Sequence, residues 1–293
     1  MKQQLLKKLG LLAIGAVLIT ITVGSAQEAD KPLEEVSYRL KWLFNVSVVG
    51  VLYTDDAGLF AKNGLKVIIK PGGPEKDAIK ELEFGHAHFG VASADQVIRA
   101  VSKGAPIVVV AQLFQTNPLH WIYRPDKTPL KTPQDLKGKT IGITFGGNDE
   151  TIMRALLAKH NIKENEVKFF SVRYDYTPFY KGEVDLWPLY RNAQAPIIGA
   201  KLQKAGESFD LMDPSRMGIR FVANSVITTR KMLEERPETV KNFTKALLQG
   251  WHEILEPSHK EKAIETVLKY NKETPEEIVR QQLPATRILM MPT

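Results

Sequence analysis

Residues 88–114 read HFGVASADQVIRAVSKGAPIVVVAQLF, and the fold turns on this stretch. His88–Ala92 reads as a short strand. Ser93–Lys103 follows as a helix, with Ser93 or Asp95 as its cap and Gly104 as its stop. Pro106–Phe114 is a nearly unbroken apolar run, the pattern of a strand buried on both faces. Upstream, Val36–Trp42 is a strand and Val49–Asn63 a helix ending at Gly64. Leu65–Lys70 is a second strand, and Glu75–Phe84 a helix with Pro74 just ahead of it. Strands that alternate with helices argue an α/β unit built on a mostly parallel sheet.

The pattern begins again near Asn117-Pro118. Thr140–Thr144, Val167–Val172 and Val184–Trp187 read as strands, and Asn148–Lys159, Thr177–Lys181 and Pro196–Lys204 as helices. Met217–Thr229 is extended and returns the chain to the first module. Beyond it, Val240, Phe243, Leu247, Trp251 and Ile254 fall at steps of three and four, one apolar helix face. The expected organisation is α/β in two lobes. Residues 36–116 with 223–293 form one lobe and residues 117–222 the other, joined by two crossings.

At the N-terminus, MKQQLLKK is basic and residues 9–23 are apolar. Gly24-Ser25-Ala26 places small residues around a cut after Ala26. That order is a secretory leader over residues 1–26, and its apolar run is short for a span of ~20 residues. The mature chain is then expected in a periplasm. The formal charge of +7 includes Lys2, Lys7 and Lys8, and no acid precedes Glu28. Without the leader the excess is too small to argue for nucleic acid. The chain has no cysteine, which excludes disulfide scaffolds, thiol catalysis, cysteine-held zinc or iron–sulfur clusters, and a lipid-modified N-terminal cysteine.

Ligands of parallel α/β sheets gather at the carboxyl ends of the strands, where helix N-termini point. Four loops qualify. Trp42 offers a stacking face and Asn45 a donor and an acceptor, against the alternative of a core Trp and a turn Asn. Ser93, Ala94 and Asp95 open a helix whose backbone N–H groups are placed to meet a ligand, although capping alone explains Ser93 and Asp95. Phe145, Gly146, Gly147 and Asn148 form a glycine loop into the next helix, without the spacing of a phosphate-binding motif. Asp185, Trp187 and Tyr190 stand near a second-lobe strand end, with the two aromatics opposite Trp42, against the alternative that Asp185 caps and Trp187 packs. His86 and His88 alone make a poor metal site. No serine stands in a nucleophile-elbow context, and no lysine is expected in the cleft.

Several strings carry a resemblance: LKW from Leu40, PGG from Pro71, GHAHFGVASAD from Gly85, TPQDLKGKTIG from Thr132, and GEVDLWP from Gly182. In this order over residues 36–285 they resemble the sulfonate- and thiamine-pyrimidine-type solute-binding proteins of ABC importers. Within them the chain looks nearest the branch of pyrimidine-precursor and riboflavin binders. The resemblance implies a periplasmic-binding-protein clamshell with two crossovers. It implies a monomer that carries a small, planar heteroaromatic ligand to an inner-membrane permease, with no cofactor, no metal and no catalysis. Relatives often carry an N-E-P string after the second-lobe aromatics. Here Asn192-Ala193-Gln194-Ala195-Pro196 stands in its place, with neutral Gln194 for the acid. Relatives also continue past a T-R-P-L-like segment, whereas Thr286-Arg287-Ile288-Leu289 stands close to Thr293, so the resemblance implies that the last helix or two of the family pattern is missing.

Two other functions compete. A pyrimidine-synthase branch shares the fold and uses pyridoxal phosphate, but its lysine and histidine positions read Ala92 and Gln96 here, and its cysteine-rich string is absent. A ligand-binding subunit for a membrane sensor would have the same sequence features as a transport protein.

Overall fold

The computed structural model describes residues 32–291. The expected leader, residues 1–26, lies outside the described residues. Among the described residues no helix is long and apolar enough to cross a membrane.

Among the described residues there are ten strands: β1 (Glu34–Arg39), β2 (Leu65–Lys70), β3 (Phe89–Ala92), β4 (Ile107–Phe114), β5 (Leu119–Tyr123), β6 (Thr140–Ile143), β7 (Lys168–Ser171), β8 (Trp187–Tyr190), β9 (Asp210–Met212) and β10 (Ala223–Thr229). The first sheet has the order β2-β1-β3-β10-β4. β1 is parallel to β2 and β3, while β10 is antiparallel to both β3 and β4. In the second lobe β5 lies antiparallel between β8 and β9, and β6 pairs parallel with β7. A parallel bridge from Ile141 to Leu186 ties β6 to β8.

The two lobes follow one rule. Four strands run one way, and the strand that opposes them, β5 or β10, is the first after the chain crosses from the other lobe. β4 ends at the cleft, so a direct crossing enters the second lobe at its cleft end, and β5 must run away from the cleft.

This insertion corrects the reading of Pro106–Phe114. β10 takes the inner position, which leaves β4 at the sheet edge with Val109 49% exposed. Three element bounds also move. The helix expected from Val49 to Asn63 breaks at Gly58, whose φ of 67° is left-handed. The helix expected from Glu75 starts at Ala78, where the Asp77 carboxylate accepts from the N–H groups of Ile79 and Lys80. The strand expected at Val184–Trp187 lies three residues later, at Trp187–Tyr190.

The apolar face read over 240–254 is the core of the first lobe. In the helix Pro237–Ile254, Phe243 stacks on Phe89 at 3.8 Å and on Phe60 at 5.5 Å. Trp251 fits only because residue 50 is glycine: a Cβ there would lie 1.9 Å from the indole. The second lobe buries Trp121, Ile141, Met153 and Leu156.

Candidate functional site

A cavity of about 390 Å³ opens between the two lobes at the carboxyl ends of β1, β6 and β8. Its floor is organised by a residue absent from the sequence expectations. Lys41 follows β1, and its ammonium donates to Ser93 Oγ of the first lobe at 2.8 Å. It also donates to Asn148 Oδ1 and Tyr190 OH of the second, each at 2.6 Å. A lysine ammonium has three N–H groups, and all are used. Lys41 is therefore a strut between the lobes. An ammonium that donates three hydrogen bonds has no lone pair to offer a carbonyl. The expectation of a cleft without lysine is corrected, and the signal was available: Lys41 stands beside Trp42 at a strand end.

Two buried carboxylates sit beside this strut, each in the first turn of a helix. Asp149 accepts from the Thr144 N–H. Burial pushes its carboxyl up to about 6, against the opposing pull of the Thr144 bonds and Lys41. Asp95 is also raised by burial, with Lys41 the leading opposing charge, and both of its oxygens lack a hydrogen-bond partner.

The other expected site residues divide. Trp42 lines the cavity, but its ring partner is Tyr174 at 5.4 Å, not Trp187 or Tyr190. Phe145 stands at the mouth, 55% exposed. Gly146 and Gly147 line the wall. The Gly146 carbonyl accepts from Arg99 of the first lobe at 2.8 Å, and its N–H donates to Glu150. Asn148 and Tyr190 line the floor.

Four expectations need correction. Asn45 borders the cavity, but its amide serves the chain, taking the Ser47 N–H and donating to the Leu43 carbonyl. The backbone N–H groups of Ser93 and Ala94 are not free for a ligand: the first donates to Gln96 Oε1 and the second to the Val222 carbonyl. Asp185 lies at the start of β8, not at its cleft end, because that strand is shifted. Its carboxylate accepts from the Thr140 N–H and the Thr128 hydroxyl, away from the cavity lining. Trp187 borders the cavity but is only 1% exposed and packs among Tyr176, Phe170 and Phe179.

Gln194 lines the cavity, with its Oε1 held by the Tyr190 N–H. Around the rim, Arg173 of the second lobe pairs with Glu75 of the first. Tyr174 closes over Gly73, whose φ of 150° and contact with the tyrosine hydroxyl leave no room for a side chain. His88 Nδ1 accepts from the Ser37 N–H. Among the described residues no group of three or more His, Asp or Glu is placed to hold a metal ion.

The Asp149 carboxyl makes a testable contribution. Its folded value of about 6 lies above the ordinary 3.8. The folded state thus binds the proton first. The stability this group contributes is complete below pH 3.8 and lost as pH rises through 6. At roughly 1.4 kcal/mol per pH unit, the total is on the order of 3 kcal/mol. Asp149→Asn is expected to remove this dependence. The difference in unfolding free energy between variant and parent should grow in the variant's favour from pH 4 to pH 7.5. Parallel denaturation curves at both values would refute it.

The fold is the two-lobed architecture of periplasmic binding proteins, with a cavity between the lobes. Solved neighbours share the architecture. One is the aliphatic sulphonate binding protein SsuA of Escherichia coli, with a TM-score of 0.67 and 18% identity over 86% of this chain and 83% of that one. Another is the alkanesulfonate-binding protein SsuA of Xanthomonas axonopodis, with a TM-score of 0.64 and 20% identity over 87% and 84%.

The model of the NMT1/THI5 like family matches residues 45–260, and the chain belongs to that family. A putative thiamine biosynthesis protein of Haemophilus influenzae is 29% identical over 154 residues, 52% of this chain and 48% of that protein. The riboflavin-binding protein RibY of Chloroflexus aurantiacus is 24% identical over 246 residues, 80% of this chain and 66% of that protein. The formylaminopyrimidine-binding protein of Halalkalibacterium halodurans is 25% identical over 231 residues, 78% and 68%. The chain thus spans about half the length of the first relative and about two thirds of the other two.

Proposed function

We propose that this protein is the solute-binding component of an ABC importer, exported by a cleaved leader and working as a monomer in the periplasm. It delivers a small planar heteroaromatic ligand to an inner-membrane permease. Residues 36–116 with 223–293 form one lobe and 117–222 the other, and the ligand closes them. The observation that carries the reading is the inter-lobe cavity, walled by Trp42 from one lobe and Tyr190 from the other. Its volume lies within the ordinary range of small-molecule sites. The printed names of RibY and the formylaminopyrimidine-binding protein support a heterocyclic ligand. The protein returns its ligand unchanged. Nucleophilic catalysis needs an activating base beside the nucleophile, and the cleft lysine is fully occupied by hydrogen bonds.

The test is a thermal-shift screen on refolded, ligand-stripped protein with riboflavin, formylaminopyrimidine and ethanesulfonate, followed by mass analysis of recovered ligand. A binder at 100 times its dissociation constant should add about 2.7 kcal/mol. Absence of any shift with both heterocycles would defeat the ligand class, and a ligand altered in mass would defeat the transport reading.

A further inference from the structure

Two carboxamides on the cavity floor have unmet hydrogen-bonding capacity. Asn148, 6% exposed, gives its Oδ1 to Lys41, which fixes the amide orientation. Its Nδ2 is buried and has no partner. Asn224, 4% exposed, lies in β10, the return strand, and makes no side-chain hydrogen bond among the described residues. Its Oδ1 is buried and unpaired. Both residues line the cavity, Asn148 from the second-lobe helix and Asn224 from the first-lobe sheet. Asn224 also has a φ of 53°, one of two non-glycine residues with positive φ among the described residues. Buried polar groups are rarely left unpaired, and strained backbone concentrates where a ligand is held.

We infer that Asn148 and Asn224 read one edge of a neutral heterocycle. The edge carries an N–H donor for Asn224 Oδ1 and a nitrogen or oxygen acceptor for Asn148 Nδ2, as in a lactam or an aminopyrimidine. The inference rests on the solute-binding reading and narrows it. A sulfonate offers acceptors alone. On this floor it would face the Asn224 oxygen and the buried Asp149 carboxyl, while the Lys41 N–H groups are all taken within the protein. Removing one partner of a buried hydrogen bond leaves the other desolvated and unpaired, so each contact discriminates strongly.

Asn224→Gly tests this, because glycine keeps the positive φ and removes only the carboxamide. Calorimetric titration of ligand-stripped protein uses riboflavin, formylaminopyrimidine and ethanesulfonate. The heterocycle that binds the parent should bind the variant about tenfold more weakly or worse. Equal affinity for parent and variant, or ethanesulfonate as the tightest of the three, overturns the inference.

The ligand-free melting temperature gives an independent decision. A carboxamide held only for ligand has no structural role, so the variant should melt at the parent's temperature or up to about 3 °C higher. A clear fall assigns Asn224 to the fold and overturns the inference. Failure of all three probes to bind the parent defeats the ligand class proposed above and leaves the melting comparison to decide the role of Asn224.

Discussion

Lys41→Met is expected to destabilise the protein by about 3–5 kcal/mol at pH 7.5, the scale of breaking a buried charged network from one side. The methionine fills similar space but leaves Ser93 Oγ, Asn148 Oδ1 and Tyr190 OH without their donor. It also removes the cation that opposes the burial of Asp95 and Asp149. Both carboxyls then rise further above their ordinary values, so the penalty for ionising them at pH 7.5 grows. Lowering the pH to 5 protonates more of that pair and should recover part of the loss. Because the three acceptors come from both lobes, scattering should also show a more open mean shape. Denaturant unfolding at the two pH values checks the energetics. A variant as stable and as compact as the parent would show that Lys41 is not a strut.

Trp187→Ala is expected to cost about 3–5 kcal/mol of stability, because it deletes a fully buried indole from the second-lobe core. Trp42→Ala should act differently. Trp42 is half-buried and meets Tyr174 across the cleft, so its loss should weaken ligand binding by about 1–3 kcal/mol while the ligand-free fold remains close to the parent. In sequence each tryptophan reads as a cleft wall or as a core residue, and the structure makes Trp42 the wall and Trp187 the core residue. Thermal melts of the two variants, with and without the best ligand of the screen, distinguish the roles. Equal stability losses would refute the separation.

Much of the site was legible because strand ends announce themselves. TIGIT followed by Phe145-Gly146-Gly147-Asn148 places a loop at the cleft from sequence alone, and that loop lines the cavity. The string LKW stands at the right strand end, where Trp42 is the residue whose chemistry shows in sequence. Lys41 is masked because a lysine in sequence reads as a solvated charge, and only its three partners, 52, 107 and 149 residues away, show otherwise. Asp185 failed for a local reason. A three-residue shift of β8 moves it from the cleft end of the strand to the far end.

The sequence by itself determined the alternation of strands and helices, the restart near residue 117, and the apolar face over 240–254. These depend on periodicity and turn chemistry, which act over a few residues. It also carried the family, since the strings that mark it are local. Only the tertiary structure decided that β10 enters between β3 and β4 and leaves β4 at the edge. Only it decided that the Ala94 N–H is spent on the Val222 carbonyl, and that Asn224 lines the cleft with its amide oxygen unpaired. The physical reason is common to all three. Strand order, the partner of a loop N–H and the pairing of a buried amide are set by segments distant in the chain. No pattern within a window of neighbouring residues encodes which partner arrives.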